Sequence, residues 1–260
     1  MRELLRVEHV SIQFGGLKAV NDVSFAVQQG QTFGIIGPNG AGKTTLFNLC
    51  SGVYKPTSGK VFLEDEDITG CSSDVICKKG ICRTFQSSQL FSFMSVLDNV
   101  KVGCHIVTKT NMLDSIFHTK TYKADEEFAI SQSLMILEKV GLSKYRDVMA
   151  GNLPYGIQRK VEIARALATN PKIILLDEPA AGMNPNETAD LRDFVKQLHD
   201  EGQTVLLIEH DMKFVMNCCE QILVLNFGER ICEGTPKQVR EDKVVQEAYF
   251  GSGMVSKGED

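Results

Sequence analysis

The chain has 260 residues, of which 43% are hydrophobic and 23% charged, and its formal net charge is −5. This length is sufficient for one large domain with its own core. The acidic balance argues against a protein that binds nucleic acid by neutralising phosphates. No apolar run approaches the roughly 18 residues that would predict a transmembrane helix. The eight cysteines form neither a C-x-x-C pair nor a Cys/His zinc spacing, so they predict no metal site and no disulfide framework.

The first part of the chain predicts short strands and one helix around a glycine-rich loop. Residues 4–14 and 20–28 alternate apolar and polar side chains as strands do, and 31–37 form a short apolar strand. Residues 44–53 fit a helix, and 59–68 fit another strand. Strand, glycine-rich loop and helix therefore follow one another directly.

The hydrophobic pattern in the middle of the chain, residues 88–168, differs from that of the flanking segments. Its apolar side chains recur at helical spacing between Glu and Lys residues, as in Phe128, Ile130, Leu134, Leu137 and Val140. We therefore expect a helical subdomain that is inserted into the α/β core.

Strands and helices alternate again from residue 171 to the end of the domain. In order, the segments are a strand in "KIILLDEP", a helix in "ETADLRDFVKQLHDEG", a strand in "TVLLIEH", a helix in "MKFVMNCCEQ", a hairpin in "ILVLNFGERICEG" and a last helix over 236–249. This alternation predicts an α/β fold with a mostly parallel sheet, whose ligands bind at the C-terminal ends of the strands. We expect residues 1–250 to form one domain and the polar residues 251–260 to form a tail.

The segment "GPNGAGKT", Gly37 to Thr44, matches the phosphate-loop pattern G-x-x-x-x-G-K-[ST]. The glycines allow backbone N–H groups to turn towards phosphate oxygens, and Lys43 adds a positive charge to the same oxygens. The Thr44 hydroxyl can ligate Mg²⁺, and the helix that starts near Lys43 adds the positive end of its dipole. The pattern lies between a predicted strand and a predicted helix, as phosphate binding requires.

Carboxylates follow the buried strand in "IILLDEP". Successive strand side chains point to opposite faces, so Asp177 and Glu178 are expected to perform different tasks. Asp177 fits a role beside Mg²⁺, and Glu178 can polarise or orient a water molecule for attack on the γ-phosphate. Alone, the pair would be an ordinary strand end with solvated acids; beside a phosphate loop it predicts hydrolysis.

Two further polar residues gain significance only from this context. His210 ends the buried strand in "TVLLIEH", where it can contact the γ-phosphate or the attacking water. Gln86 lies in "RTFQSSQLF". Without the other motifs, His210 would be a structural histidine and Gln86 a surface residue.

Five motifs, "GPNGAGKTT", "RTFQ", "LPYGIQRKVEIARAL", "IILLDEPAAGMNP" and "LLIEHD", occur in an order that resembles the ATP-binding-cassette (ABC) ATPases over about residues 4–250. The resemblance implies an α/β P-loop NTPase core with a mostly parallel sheet, an N-terminal antiparallel β part and a helical subdomain. It also implies ATP and Mg²⁺ as ligands.

The resemblance assigns a role to each matching residue. Lys43, Glu178 and His210 would be catalytic, and Thr44, Gln86 and Asp177 would lie on the Mg²⁺ side, with Gln86 also sensing the transporter partner. The residues implied in nucleotide contact are Phe14, which would stack on adenine, then Gly37, Pro38, Asn39, Gly40, Ala41, Gly42, Lys43, Thr44, Thr45 and Gln86, then Pro154, Tyr155, Gly156 and Asn184. Asn184 stands where the family usually has Asp, in a loop that contacts the opposite subunit.

The segment "GNLPYGIQRK" resembles the family signature L-S-G-G-Q with three substitutions. Pro154 replaces the serine, Tyr155 the first glycine and Ile157 the glutamine. Because the serine hydroxyl is missing, we expect the Gly156 N–H and the positive end of the following helix to act on the ATP of the partner subunit.

Within this family the chain resembles the longer ATP-binding subunit of bacterial branched-chain amino-acid importers. That implies a second ABC ATPase subunit in a homo- or heterodimer, two transmembrane permease subunits and, indirectly, a periplasmic or extracellular solute-binding protein, with the chain on the cytoplasmic face of the inner membrane and no nucleic acid bound. The apolar segment "SSQLFSFMSVLDNV" would help to form the groove for a permease helix. The alternatives are an importer of urea, amides or another polar solute, a soluble ABC ATPase outside transport, and a non-enzymatic nucleotide sensor.

Overall fold

The computed structural model describes residues 2–84, 90–108, 110 and 112–250. Its strands are β1 (Glu3–Phe14), β2 (Leu17–Gln28), β3 (Thr32–Ile36), β4 (Ser58–Leu63), β5 (Glu66–Asp67), β6 (Ile81–Arg83), β7 (Ile173–Asp177), β8 (Thr204–Ile208), β9 (Gln221–Asn226) and β10 (Glu229–Gly234). Its α-helices are α1 (Lys43–Cys50), α2 (Ser73–Lys79), α3 (Val96–Gly103), α4 (Met112–Phe117), α5 (Lys120–Lys139), α6 (Tyr155–Leu167), α7 (Pro185–Asp200), α8 (Met212–Cys218), α9 (Pro236–Glu241) and α10 (Lys243–Phe250).

The centre of the fold is a six-stranded sheet in the order β10-β9-β3-β8-β7-β6. The neighbours from β9 to β6 pair in parallel, and β10 is antiparallel to β9. Strands β3, β7 and β8 are buried along their whole length, which is why their sequences are continuous apolar runs rather than alternating ones. The predicted mostly parallel sheet is confirmed.

A separate core covers each face of this sheet. Ile174 and Leu176 of β7 belong to a core that includes residues of α3, α5, α6, α7 and α8. Ile173 and Leu175 face the other way, into a core formed with α1 and an antiparallel sheet in the order β2-β1-β4-β5. Each fully buried side chain of this kind stabilises the fold by roughly 1.5–3 kcal/mol. The expected N-terminal antiparallel part is therefore present and closes one face of the central sheet.

Four local elements differ from the prediction. Helix α2 and the three-residue strand β6 were not anticipated, because neither is long enough to show a period. The strand predicted over 59–68 is a hairpin of β4 and β5. The helix predicted over 236–249 is two helices, because Asp242 is extended and its Oδ1 accepts hydrogen bonds from the N–H groups of Val244 and Val245, at 2.8 and 3.1 Å.

The middle of the chain consists largely of helices, and α3 lies close against α6. A Cβ atom on Gly103, at the end of α3, would be 2.2 Å from the carbonyl oxygen of Arg165 and 2.8 Å from Cβ of Ala168. The two helices can therefore approach this closely only with glycine at position 103. In the described part of the chain, no helix is both long and apolar enough to cross a bilayer. The tail predicted over 251–260 lies outside the described residues.

We predict that Gly103→Ala lowers the free energy of unfolding by about 1–3 kcal/mol, because α3 and α6 must separate to admit the methyl group. Denaturant unfolding of the purified chain would measure the loss. Gly16→Ala is the matched control: Gly16 has no positive φ, and a Cβ there would have no atom within 4 Å. Equal stabilities of the two variants would contradict the packing described for α3 and α6.

Candidate active site

The loop between β3 and α1 has a backbone path that requires glycine. Gly37 and Gly42 have φ values of 155° and 98°. A Cβ atom on Gly37 would lie 2.2 Å from the carbonyl oxygen of Leu225, and one on Gly42 would lie 2.4 Å from that of Ala19. The loop thus passes directly against β9 and β2, and any side chain at these two positions would displace it.

Lys43, the first residue of α1, is turned back into this loop. Its Nζ donates hydrogen bonds to the carbonyl oxygens of Gly37 and Pro38, at 2.7 and 2.9 Å. Burial lowers the pKa of Lys43, and the nearby charge of Glu178 acts in the opposite direction. The ammonium group therefore lies inside the curve of the loop, close enough to the Glu178 carboxylate for the two charges to interact.

A cavity of about 490 Å³ lies over the loop, within the size range of small-ligand sites. The predicted residues that line it are Phe14, Asn39, Gly40, Ala41, Gly42, Lys43, Thr44, Thr45 and Glu178. Phe14 is 45% exposed, and its ring meets that of Tyr54 edge-to-face at 5.2 Å between centroids. An aromatic face, a phosphate loop and a carboxylate therefore surround one space. Phe227, on the turn between β9 and β10, also lines it and was not singled out from the sequence.

Asp177 ends β7 in a buried ion pair. Its Oδ2 accepts a hydrogen bond from Nη2 of Arg83 at 2.7 Å. Nη1 of Arg83 donates to Oδ1 of Asn48 and Oγ of Ser51, at 2.5 and 3.1 Å. Arg83 thus joins β7 to the C-terminal end of α1. No local sequence pattern predicts this role of Arg83, because it depends on β6 pairing with β7 across about ninety residues of chain.

Glu178 follows Asp177 but points elsewhere, into the cavity. Its φ of 44° is in the left-handed region, which is strained for a residue with a Cβ atom. Its N–H donates to the carbonyl oxygen of Ile208 at 3.0 Å. The two carboxylates are therefore separated as expected, one towards Arg83 and one towards the cavity.

His210 follows β8 and lies at the same edge of the sheet. Its Nδ1 is 4.0 Å from Oε2 of Glu178, and its side chain is 60% exposed. The neighbouring Glu209 is completely buried, and its Oε1 accepts a hydrogen bond from the N–H of Ala180 at 2.8 Å. No local sequence pattern distinguishes Glu209 from the other glutamates of the chain.

The signature segment forms the start of α6, with Pro154 as the N-cap residue. A Cβ atom on Gly156 would lie 3.2 Å from Cγ of the half-buried Glu187 side chain, so the start of α6 packs closely against the start of α7. Among the described residues that line the phosphate-loop cavity, none belongs to Pro154–Gly156. Within one chain the signature and the phosphate loop therefore occupy different places.

Asn184 is the N-cap residue of helix α7 within its own subunit. Its Oδ1 accepts hydrogen bonds from the N–H groups of Asn186 and Glu187, both at 3.0 Å, and Oε2 of Glu187 accepts one from the N–H of Asn184 at 3.1 Å. This reciprocal pair is a capping box that starts α7. The contact with an opposite subunit that the sequence suggested for Asn184 stays a prediction.

Gln86 lies outside the described residues, and further along the chain Asn99 holds the backbone of Phe91 and Ser95. Oδ1 of this buried side chain accepts a hydrogen bond from the N–H of Phe91 at 2.9 Å, and its Nδ2 donates to the carbonyl oxygens of Phe91 and Ser95 at 3.1 and 3.0 Å. The Phe93 side chain on this segment is 95% exposed. Asn99 therefore fixes the backbone of a segment that presents an aromatic ring to the outside.

Comparison with known proteins agrees with this geometry. The family model described as ABC transporter matches residues 20–181, and one described as branched-chain amino acid ATP-binding cassette transporter matches residues 229–254. The chain is 45% identical to the high-affinity branched-chain amino acid transport ATP-binding protein BraF of Pseudomonas aeruginosa, over 96% of the chain and 98% of BraF. It is 42% identical to the corresponding protein LivG of Escherichia coli K12, over 95% of the chain and 98% of LivG.

A solved structure of an ABC transporter cassette has the same fold as this chain. The ADP conformation of an ATP-binding cassette of an ABC transporter superposes with a TM-score of 0.84 at 39% identity, covering 96% of this chain and all of that one. The fold, the phosphate loop and the near full-length identities thus lead to one conclusion. The chain belongs to the ABC transporter family, as one of its nucleotide-binding ATPase subunits.

Proposed function

We propose that this chain hydrolyses ATP to drive an importer of branched-chain amino acids. The main support for this substrate class is the family match at residues 229–254. The relatives BraF and LivG, 45% and 42% identical to this chain, are named as branched-chain amino acid transport proteins. The ATPase itself touches no transported solute, so the substrate class rests on relatives and not on the cavity described above.

The substrate class is tested on the chain assembled with its permeases and solute-binding protein in proteoliposomes. We expect leucine to stimulate ATP hydrolysis and urea to leave the basal rate unchanged. Stimulation by urea but not by leucine would overturn the assignment in favour of an amide importer.

The phosphate loop would hold the triphosphate by charge and by backbone. Lys43 lies inside the loop and can exchange its bonds with the Gly37 and Pro38 carbonyls for phosphate oxygens. The N–H groups of the loop and the N-terminus of α1 present further positive charge. Phe14 offers an accessible ring for adenine at one side of the same cavity.

A Mg²⁺ ion that shares its ligands with phosphate would lie beside Thr44, which lines the phosphate-loop cavity, while the role of Asp177 beside the ion rests on the family resemblance because its carboxylate is buried against Arg83. Among the described residues, no three His, Cys, Asp or Glu side chains converge as a metal cage. Mg²⁺ does not require one, since it is commonly held by one or two carboxylates with substrate phosphates and water. Thr44, Asp177 and Gln86 would supply the protein side. When bound, the ion neutralises charge on the β- and γ-phosphates.

Glu178 is the residue that would act on the attacking water. Its carboxylate lines the cavity and can accept a hydrogen bond from a water placed against the γ-phosphate. His210, 4.0 Å from that carboxylate, would hold the water or a γ-phosphate oxygen from the other side. Lys43 would stabilise the charge that develops on the phosphate oxygens.

A second ATPase subunit would complete the site. Since Pro154–Gly156 lie apart from the phosphate loop in the same chain, the start of α6 would act on the ATP of a partner subunit through the Gly156 N–H and the helix dipole. Two permease subunits and a solute-binding protein would complete the importer, with this chain on the cytoplasmic face of the inner membrane. The exposed Phe93 supports a permease contact after Gln86.

We predict that Glu178→Gln abolishes turnover, with a loss of about a hundredfold or more, while ATP affinity stays within about threefold, because a general base typically contributes 10²–10⁴-fold. Turnover is measured with the assembled transporter, and affinity with a fluorescent ATP analogue. The exposed Glu241→Gln is the control. Turnover at the wild-type rate would remove Glu178 from the hydrolytic mechanism.

Gly156→Leu is predicted to abolish turnover of the assembled transporter and to leave ATP binding by the isolated chain intact. ATP binding by the isolated chain should persist because Pro154–Gly156 do not line the phosphate-loop cavity. The new side chain must displace Glu187, whose Cγ would lie 3.2 Å from its Cβ, and it blocks the approach of the helix start to a partner's phosphates. Loss of ATP binding by the isolated variant would refute the assignment of α6 to the partner's site.

For the metal side we predict that Arg83→Met lowers the free energy of unfolding by about 3–5 kcal/mol, because Asp177 is then buried without its charged partner. The misplaced carboxylate should also raise the Mg²⁺ concentration at which a fluorescent ATP analogue binds. Arg83→Lys should lose less, and Arg146→Met, which breaks an exposed pair with Asp147, should change neither quantity. An unchanged Mg²⁺ dependence in Arg83→Met would separate Asp177 from the metal.

A further inference from the structure

Glu209 is a fully buried carboxylate at the edge of the sheet where Glu178 and His210 lie. It is the first residue after β8 and has no exposed surface. Its Oε1 accepts a hydrogen bond from the N–H of Ala180 at 2.8 Å, and its Oε2 accepts one from the N–H of His210 at 3.1 Å. One side chain therefore binds the backbone of two loops that follow neighbouring strands.

A side chain that only fills space in a protein core is normally apolar, whereas Glu209 carries an ionisable carboxyl group. Burial raises the pKa of this carboxyl group, whereas the N–H donors of Ala180, His210 and Asp211 lower it. A buried carboxylate destabilises the fold unless it is hydrogen-bonded, and these donors come from the main chain of both loops. The arrangement is therefore maintained only while the two loops keep their present positions.

A second hydrogen bond holds the backbone of this loop at Glu178 itself. The N–H of Glu178 donates to the carbonyl oxygen of Ile208 at 3.0 Å, and the N–H of Ala181 donates to the carbonyl oxygen of Glu178 at 3.1 Å. Two hydrogen bonds therefore tie this loop to the end of β8, one from the N–H of Glu178 and one from the N–H of Ala180. These bonds hold a backbone whose φ of 44° would otherwise relax towards an unstrained value.

We infer that Glu209 is a positioning residue, which holds the Glu178 loop and the His210 backbone in the arrangement needed for hydrolysis without touching ATP itself. This rests on the proposed roles of Glu178 and His210. Among the described residues that line the phosphate-loop cavity, Glu209 does not occur. Its loss should therefore affect the rate of the chemical step and leave nucleotide affinity unchanged.

The test is Glu209→Gln in the full-length chain. Glutamine has the same size, but only one of its two terminal atoms can accept a hydrogen bond, so one of the two loops loses its anchor. We expect kcat per bound ATP in the assembled transporter to fall by about tenfold or more. The dissociation constant of a fluorescent ATP analogue should stay within about twofold, because the loop and Phe14 are untouched.

Glu220→Gln is the matched control. Oε2 of Glu220 also accepts a hydrogen bond from a main-chain N–H, that of Thr32 at 3.2 Å, but Thr32 begins β3 at the opposite edge of the same sheet. This variant removes the same charge and should keep wild-type kcat. Glu209→Asp is a second variant, which keeps the charge but is too short to reach both loops, and we expect it to lower kcat as well.

Thermal unfolding and titration of active ATP sites accompany each variant, because kcat per bound ATP separates positioning from folding. A purely structural role would lower the unfolding temperature or the number of sites and leave kcat per site unchanged, and that result would overturn the inference. If Glu178→Gln is inactive while Glu209→Gln keeps wild-type kcat, only the role of Glu209 fails. If Glu178→Gln turns over normally, the hydrolysis proposal fails instead.

Discussion

The parallel pairing of β3, β8 and β7 is the constraint on which the whole site depends. Each of these strands is buried on both faces, and their C-terminal ends lie side by side at one edge. The phosphate loop follows β3, Asp177 and Glu178 mark the end of β7, and Glu209 and His210 follow β8. Groups more than 130 residues apart in the chain therefore meet at fixed distances, and a change of strand order would disperse them.

The charged groups at this edge stabilise one another, because a buried charge is tolerated only with a partner. Asp177 is paired with Arg83, Lys43 donates to the loop and interacts with Glu178, and Glu209 accepts main-chain N–H groups. Glu178 additionally holds a left-handed backbone conformation. In the proposed mechanism only Lys43 must exchange its partners, from the loop carbonyls to phosphate oxygens; the other groups are fixed before the nucleotide enters, and such preorganisation is the usual source of electrostatic catalysis.

The sequence predicted those features that depend on local pattern. The phosphate loop and the buried strands ending in "DEP" and "IEH" require particular residues within a few positions of each other, and each is present where expected. Helix α6 begins at Tyr155, earlier than predicted, because the sequence pattern places Tyr155 and Gly156 in the loop before the helix. Arg83 and Glu209 escaped prediction because their partners are distant in the chain and become neighbours only through strand order. The family resemblance implies a subunit contact for Asn184, whereas the structure shows that it caps α7, which the capping-box sequence "NPNE" also indicates.

In the proposed mechanism one chain provides half of each ATP site, because its phosphate loop and the start of α6 act on different nucleotides. Turnover per bound ATP, measured while the purified chain is diluted and again after assembly with its ATPase and permease partners, tests this directly. We expect dilution to leave ATP bound but to reduce turnover per bound ATP towards zero, and assembly to restore it. A turnover per bound ATP that is independent of dilution and equal to that of the assembled transporter would contradict the claim.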